Sequence, residues 1–204
     1  MDVASRADMK SDVLKDIEKH KHQLDSYRGN PSISEAALDA VIAQLDHCFT
    51  ALNTQNGKSG HALTENDWLM SIRSRISIPG GTCEFDLPAY YAWQHLPAPQ
   101  RQADLQGWVS TLSPFAEAVH LMLGLLRDAG HPHMVAAPCG QYQQSLKESR
   151  NYQLLRLRID EGLGLIPEVS ANRLLVSIRL MRADGDGRLK LAADTDAGFE
   201  LSLC

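Results

Sequence analysis

Apolar residues recur at helical spacing along the first part of the chain. Between residues 8 and 28 they return every three or four positions, with Lys and Glu on the opposite face, which predicts an amphipathic helix. After a Gly-Asn-Pro break, Ser32 and Glu35 have the spacing of a capping box, and a second apolar run follows over residues 38–52. The two runs predict either an antiparallel helical hairpin or a short coiled coil.

Turn-forming residues then gather in one connection. Thr64 and Asp67 predict the cap of a third helix, which ends near Ile76. Pro-Gly-Gly follows at residues 79–81, and Asp86 offers a side-chain oxygen to the first N–H groups of the next helix. So much turn chemistry in one place predicts a connection of defined shape between two helices.

Three more helical runs complete this part of the chain. Residues 87–96 predict a short aromatic helix, and residues 99–112 predict another with one apolar face. The run over residues 113–127 is apolar nearly all round, so it predicts a central helix that Gly130 ends, and Gly124 indicates close packing against a neighbour. The apolar face predicted within residues 99–112 consists of Leu105, Trp108, Val109 and Leu112.

From about residue 131 the apolar period changes to two. Residues 152–159 and 173–181 alternate apolar with polar side chains, which predicts strands with one apolar face each. Asp184-Gly-Asp-Gly predicts a turn, and residues 199–203 predict a last strand. Helices first and strands second indicate an α+β fold.

The predicted organisation is an N-terminal helical bundle over residues 1–130 and a C-terminal, mainly antiparallel β domain over residues 131–204. The net charge of −5 argues against a general nucleic-acid binder. No window approaches about 18 uninterrupted apolar residues, and residues 1–20 lack a signal-peptide core, which predicts a cytoplasmic protein. Four scattered cysteines predict reduced thiols, most of them buried.

Residue types that carry chemistry are few and scattered. His131, His133 and Cys139 include metal-ligand types, but no fourth ligand lies nearby in the sequence, which favours a polar loop between domains. Cys48 lies beside the apolar seam of the second helix, so a core thiol is favoured over a nucleophile. The Asp184 turn lacks the later acidic positions of a calcium loop. The sequence predicts no catalytic residues and no metal site.

Basic residues concentrate in the predicted β domain. Between residues 147 and 182 the chain has seven Lys or Arg and four Asp or Glu. Arg156 and Arg158 share a face of one predicted strand, and Arg173 and Arg179 share a face of another. Coinciding faces would form one cationic surface, on which arginine can grip carboxylates through paired hydrogen bonds. The alternative is an ordinary solvated outer face of a half-buried sheet.

One long motif resembles a known family. Residues 73–88 read Arg-Ser-Arg-Ile-Ser-Ile-Pro-Gly-Gly-Thr-Cys-Glu-Phe-Asp-Leu-Pro, and residues 93–97 read Trp-Gln-His-Leu-Pro. Leu-Leu-Arg-Leu at residues 154–157 and Phe-Glu-Leu at residues 199–201 extend the likeness. On these motifs the chain resembles the ZapD family of bacterial cell-division proteins over nearly its whole length.

The resemblance implies a dimeric, non-enzymatic protein without a cofactor. It implies binding of the acidic C-terminal tail of FtsZ, bundling of FtsZ protofilaments, support of Z-ring assembly at midcell in the cytoplasm, and an indirect decrease in FtsZ GTPase activity. Arg6 and Arg179 fall at family positions implicated in FtsZ binding, and Arg173 lies near another. Arg73 and Arg75 belong to the motif itself.

The chain departs from the family pattern in three ways. We expect it to lack an additional N-terminal helical segment, which includes a basic contact residue. Asp67 stands where the family can have a basic residue, and Tyr91 stands where it can have histidine. The predicted partner-binding set is Arg6, Arg73, Arg75, Tyr91, Arg156, Arg158, Arg173 and Arg179.

Two other classes of function compete with this interpretation. A nucleic-acid-binding module would use the arginine-rich sheet face, although no aromatic residues alternate with those arginines to stack on bases. A metal hydrolase would use His131, His133 and Cys139 and would carry zinc. We expect neither nucleic acid nor a membrane as a partner.

Overall fold

The structure, a computed structural model, describes residues 7–147 and 152–204. Within them, helices come first and antiparallel sheets second, which confirms the predicted α+β fold class. The helices are α1 (Ala7–Asp25), α2 (Glu35–Thr54), α3 (His61–Thr64), α4 (Asp67–Arg75), α5 (Pro88–Gln94), α6 (Ala98–Ser110) and α7 (Ser113–Asp128). The strands are β1 (His133–Ala137), β2 (Gln141–Ser145), β3 (Leu155–Arg158), β4 (Ile166–Ala171), β5 (Leu175–Ala183), β6 (Leu189–Leu191) and β7 (Ala197–Leu203).

Packing divides the chain into a helical unit, Met1–Met122, and a β unit, Leu123–Cys204. The domain boundary predicted at residue 130 stays a prediction. Among the described residues, no single helix has the length and apolar character needed to cross a membrane. The α6 and α7 helices meet that test only when they are taken together across a bend of 60°.

The first two helices form an antiparallel hairpin, which is one of the two predicted arrangements. Lys10, near the start of α1, donates a hydrogen bond to the carbonyl oxygen of Gly57 beyond the end of α2 (3.2 Å). Arg28, beyond the end of α1, pairs with Asp39 near the start of α2 (2.8 Å). Five apolar side chains of the hairpin are buried: Ile17, Leu38, Leu45, Cys48 and Leu52.

The predicted cap of α2 is wrong by two residues. The helix begins after Ser34, whose hydroxyl accepts a hydrogen bond from the N–H of Ala37 (3.3 Å). Ser32 lies in the preceding turn. Glu35 does not close a capping box, because its carboxylate accepts a hydrogen bond from the N–H of Gly29 (2.7 Å). The glutamate thus closes the turn between α1 and α2.

The predicted caps of α4 and α5 are also wrong. Thr64 ends the short helix α3, so Asn66 caps α4 by accepting a hydrogen bond from the N–H of Leu69 (3.0 Å). Asp86 does not cap α5, whose first turn has no side-chain cap. Its carboxylate lies 3.6 Å from Nη1 of Arg75 at the end of α4. The Thr64 hydroxyl instead donates a hydrogen bond to the carbonyl oxygen of His61 within α3 (2.8 Å), and Asp86 pairs across the connection, which local spacing does not show.

The connection between α4 and α5 is a series of tight turns, as the sequence predicts. Its backbone hydrogen bonds run from Ile78 to Arg75 (3.0 Å), from Gly81 to Ile78 (2.9 Å) and from Cys83 to Gly80 (3.0 Å). Gly80 has a φ of +72°, a region that L side chains rarely adopt. A Cβ atom on Gly81 would lie 2.7 Å from the carbonyl oxygen of Arg75. Both glycines are therefore required by the shape of the backbone.

An aromatic cluster joins the helices on the two sides of this connection. The ring centroid of Trp68 in α4 lies 5.4 Å from that of Trp93 in α5 and 5.1 Å from that of Trp108 in α6. Tyr90 lies 6.2 Å from Trp68. The indole Nε1 of Trp93 donates a hydrogen bond to Asp104 of α6 (2.9 Å). The cluster therefore ties α4, α5 and α6 together.

Two expectations for α6 and α7 differ from the structure. Leu105 and Val109, on the apolar face predicted for α6, are 47% and 65% exposed. Gly124 lies inside α7, but apart from its chain neighbours and the backbone of its own helix no described atom comes within 4 Å of the position that its Cβ would take. The close packing predicted at Gly124 is therefore wrong within the described part of the chain.

Two antiparallel sheets form the β unit. One, the β7 sheet, has the order β1-β7-β3, and the other, the β5 sheet, has the order β2-β5-β4 with β6 also paired to β5. Tyr142 of β2 contacts Phe199 of β7 edge-on, with ring centroids 5.7 Å apart. Alternate residues of the two central strands meet in one core: Val176, Ile178, Leu180, Ala197, Phe199 and Leu201, together with Ala137. The outward positions of β5, including Arg179, consequently face away from this core.

The predicted strands account for only part of these sheets. β3, β5 and β7 overlap the predicted strands, and the Asp184 turn joins β5 to β6 as predicted. β1, β2 and β4 lie outside the predicted strands. His133, which the sequence assigns to a loop, begins β1, and β4 has no apolar period because all six of its residues are exposed. Arg173 lies in the bend before β5 and not in the strand.

We expect Gly81→Ala to destabilise the protein by about 1–3 kcal/mol, because the added methyl group overpacks against the Arg75 carbonyl oxygen. Gly124→Ala is the control, since its methyl group enters open space inside a helix and should stabilise by about 0.5–1 kcal/mol. Denaturant unfolding of both variants measures the difference. Stabilisation by both substitutions would contradict the turn geometry.

Candidate partner-binding surface

Arg179 lies on the central strand β5, on the side that faces away from the core. Gln141 of β2 and Glu168 of β4 are its direct neighbours in the strand register. Nη1 of Arg179 lies 3.1 Å from Oε2 of Glu168, and the two side chains are 50% and 57% exposed. This arginine is thus displayed on an outer sheet surface, but it already takes part in an ion pair.

The arginines of β3 occupy the β7 sheet. Arg158 lies opposite Glu200 of β7, with Nη1 and Oε1 3.6 Å apart, and its side chain is 70% exposed. Arg156 lies opposite Ser202. Its Nε atom is buried and has no hydrogen-bond partner among the described residues. Arg158 is therefore the more accessible of the two.

The sequence left open whether these arginines share one cationic sheet face, and in the structure they do not. Arg156 and Arg158 belong to the β7 sheet, whereas Arg179 belongs to the β5 sheet. The shared core contains residues from both sheets, so the surfaces that face away from the core are different surfaces. The alternation of each strand is predictable from the sequence, but the assignment of the strands to sheets is not.

Arg173 is exposed in the bend between β4 and β5. The Asn172 side-chain oxygen shapes this bend by accepting hydrogen bonds from the N–H groups of Leu174 (2.8 Å) and Leu175 (2.9 Å). Within the described residues, no carboxylate forms an ion pair with Arg173. Its environment therefore differs from that of Arg179, although both belong to the same hairpin.

Three predicted contact residues of the helical unit lie at or near the α4–α5 connection. Arg73 and Arg75 lie in the last turn of α4, where cations interact favourably with the end of the helix. Arg75 pairs with Asp86, and Tyr91 of α5 is 43% exposed. Arg6 lies outside the described residues.

Large apolar side chains project from the same connection, and the sequence reasoning missed them. Ile76, Ile78 and Phe85 are 71%, 53% and 88% exposed. The ion pair between Arg75 and Asp86 joins the two ends of the segment that carries these side chains. Their position among turn residues is the sequence signal for this exposure, because no helical or strand period there assigns apolar residues to a core.

Charge is divided unevenly between the two units. Residues 1–122 contain ten Lys or Arg and fifteen Asp or Glu, whereas residues 123–204 contain ten of each. The whole net charge of −5 therefore belongs to the helical unit, and the β unit is formally neutral. An acidic segment meets less overall repulsion at the β unit.

The described residues contain no group of three His, Cys, Asp or Glu that could hold a metal ion. All four cysteines are free, as predicted, but the predicted burial of most of them is wrong. Cys48 is buried, whereas Cys83 and Cys139 are exposed. Burial raises the pKa of the Cys48 thiol, which opposes formation of the nucleophilic thiolate and favours its role as a core residue.

The Asp184 loop is a hairpin turn. The Asp184 carboxylate pairs with Lys190 (3.1 Å) and accepts hydrogen bonds from the N–H groups of Asp186 (3.0 Å) and Arg188 (2.9 Å). The contact with Lys190, followed by that with Arg188, lowers the pKa of Asp184. These contacts stabilise the turn and favour it over a calcium loop.

Comparison with known proteins identifies the family. A family model described as a cell division protein, ZapD, matches residues 1–179. The chain belongs to the ZapD family. The Cell division protein ZapD of Janthinobacterium sp. (strain Marseille) is 49% identical over 204 residues, which cover all of this chain and 80% of that protein. The Cell division protein ZapD of Ralstonia pickettii (strain 12J) is 49% identical over 205 residues, with coverage of 100% and 81%. This membership supports a role in cell division.

We expect iodoacetamide to modify Cys83 and Cys139 in the folded protein and to leave Cys48 unmodified, because burial excludes the reagent and raises the pKa of the Cys48 thiol. Mass spectrometry of digested protein measures the modification at each position. The control is protein unfolded in guanidinium, in which Cys48 should react as well. Equal reaction of Cys48 and Cys83 in the folded protein would contradict the described burial.

Proposed function

We propose that the protein is a non-enzymatic cell-division factor that binds the acidic C-terminal tail of FtsZ through basic residues and cross-links FtsZ protofilaments. The observation that carries this proposal is the family membership along most of the chain. In this role the protein acts as a homodimer at the Z-ring at midcell. It lowers FtsZ GTPase activity indirectly, through the bundling of filaments.

The arginines of the β4–β5 hairpin are the proposed centre of the tail site. Arg173 and Arg179 are both exposed on the neutral β unit. Arg179 lies six positions after Arg173, and six steps of extended chain span about 20 Å. An extended acidic segment of similar length reaches both. The further proposed contacts are Arg6, Arg73, Arg75, Tyr91, Arg156 and Arg158.

Cross-linking follows from weak contacts that are repeated. An exposed arginine–carboxylate pair contributes about 0–1 kcal/mol, so a single tail binds weakly. A dimer that faces a polymer engages two tails, and the effective concentration of the second tail raises the apparent affinity by roughly 10²–10⁴. Two binding sites that reach different filaments are sufficient for cross-linking, and cross-linking requires no chemical step.

We expect the protein to sediment with FtsZ polymers and to lose this association when the FtsZ C-terminal tail is deleted. The control is polymerisation of the shortened FtsZ alone, which must still yield sedimenting polymer. Association that is unchanged by deletion of the tail would overturn the proposed contact. Retention on single-stranded oligonucleotides in its place would favour the nucleic-acid alternative.

We expect the double variant Arg173→Ala/Arg179→Ala to bind an FtsZ tail peptide about tenfold more weakly, because two exposed pairs are lost. Arg188→Ala is the matched control, since it removes an exposed arginine from the same unit. Fluorescence anisotropy of a labelled peptide gives both dissociation constants. Full binding and full bundling by the double variant would remove the hairpin from the proposed site.

We expect the affinity for the tail peptide to fall steeply when the salt concentration rises from about 0.05 M to 0.5 M, because exposed charge pairs are screened within about 10 Å at 0.1 M salt. Titrations at four salt concentrations measure this dependence. The control is the melting temperature of the protein over the same range. Affinity that is independent of salt would assign the binding to the exposed apolar side chains.

A further inference from the structure

Two outward arginines of the strands, Arg158 and Arg179, share one structural device. Arg179 of β5 lies directly opposite Glu168 of β4, and Arg158 of β3 lies directly opposite Glu200 of β7. The nitrogen–oxygen distances are 3.1 Å and 3.6 Å. The pairs occur in two different sheets. In each sheet the register therefore brings a carboxylate of the chain itself to an arginine that is proposed to bind a partner carboxylate.

We propose that Glu168 competes, within the chain, with the carboxylates of the partner for binding to Arg179. The inference rests on the proposed function, because it concerns how the acidic segment gains access to that arginine. Binding at Arg179 is then an exchange, in which a partner carboxylate replaces Glu168 and Glu168 returns to water. Glu168 is free to leave because its side chain is 57% exposed on a strand whose six residues are all exposed.

Exchange of this kind weakens binding but makes it selective. A single partner carboxylate gains little at Arg179, because it replaces an equivalent group of the chain. Arg173 in the adjacent bend has no such competitor among the described residues. A segment with several carboxylates can bind Arg173 first and then displace Glu168 at high local concentration. The site therefore favours segments with closely spaced acidic residues over isolated ones.

The opposite role for Glu168 predicts an opposite result. If Glu168 instead held the Arg179 side chain in a binding geometry, its neutralisation would weaken partner binding. As a competitor, its neutralisation strengthens binding. The sign of the change in affinity therefore separates the two roles without any assumption about the bound conformation.

The test uses the full chain and two labelled probes, a synthetic FtsZ C-terminal tail peptide and a poly-glutamate peptide. We expect Glu168→Gln to tighten binding about two- to fivefold, which is the range for release of one exposed ion pair. In an Arg179→Ala background the same substitution should have no effect. Fluorescence anisotropy gives the four dissociation constants of this double-mutant cycle.

Glu161→Gln is the matched control for a general charge effect. Glu161 is an exposed acid of the same unit, in the turn before β4, and its neutralisation changes the net charge by the same amount. We expect its dissociation constant to stay at the wild-type value. Glu200→Gln gives an independent second arm, because it should raise affinity only where Arg158 is present. Thermal unfolding of each variant confirms that the fold is retained.

The outcomes separate the inference from the proposed function. If the wild type binds the tail peptide and Glu168→Gln binds it equally well or more weakly, the competitor role is overturned and the proposed function stays intact. Absence of tail binding, together with tighter poly-glutamate binding by Glu168→Gln, overturns FtsZ as the partner but supports the competitor role. Absence of binding to both peptides in every variant overturns both. An equal gain in Glu161→Gln assigns the effect to net charge and overturns the inference.

Discussion

The β unit depends on the burial of alternate residues along β5. Val176, Ile178 and Leu180 are each no more than 1% exposed, and they share a core with residues of β7. Burial of such a side chain stabilises by about 1.5–3 kcal/mol, whereas an exposed ion pair contributes about 0–1 kcal/mol. Because burial is the stronger of these two interactions, it determines which face of the strand points into the core. Ser177 and Arg179 are consequently directed outward by the core and not by their own contacts.

The register that follows from this core also determines the electrostatics of the surface. Strand pairing places Glu168 beside Arg179 and Glu200 beside Arg158, so each of these two outward arginines is matched by a carboxylate of the chain itself. The formally neutral β unit then presents arginines without a strong net field. Under the proposed function, each contact is a local exchange of carboxylates. Such contacts are weak singly and sensitive to salt, and strong association has to come from their repetition.

Sequence patterns predicted those elements whose apolar period results directly from burial. The hairpin of α1 and α2, the central strand β5 and the last strand β7 are of this kind. The cap of α2 was not predictable, because Ser32 and Ser34 are both suitable residues and Glu35 accepts a hydrogen bond from Gly29 in the turn before the helix instead of closing a capping box. β4 was not predictable because an exposed edge strand has no apolar period. The partition of the arginines between two sheets depends on long-range pairing, which local sequence does not contain.

The motif at residues 73–88, on which the chain resembles the family, determines the backbone of a connection and not the centre of the proposed binding site. Pro79 fixes its own φ, Gly80 has a positive φ and Gly81 has no space for a Cβ atom, so few residue types can replace them. The pair of Arg179 with Glu168 is exposed, and exchange of either residue costs the fold little. Affinity can therefore change between relatives while residues 73–88 and the fold stay the same. Family membership therefore predicts the architecture better than it predicts the strength of binding. The strength of binding has to be measured on variants of the arginines and glutamates of this chain.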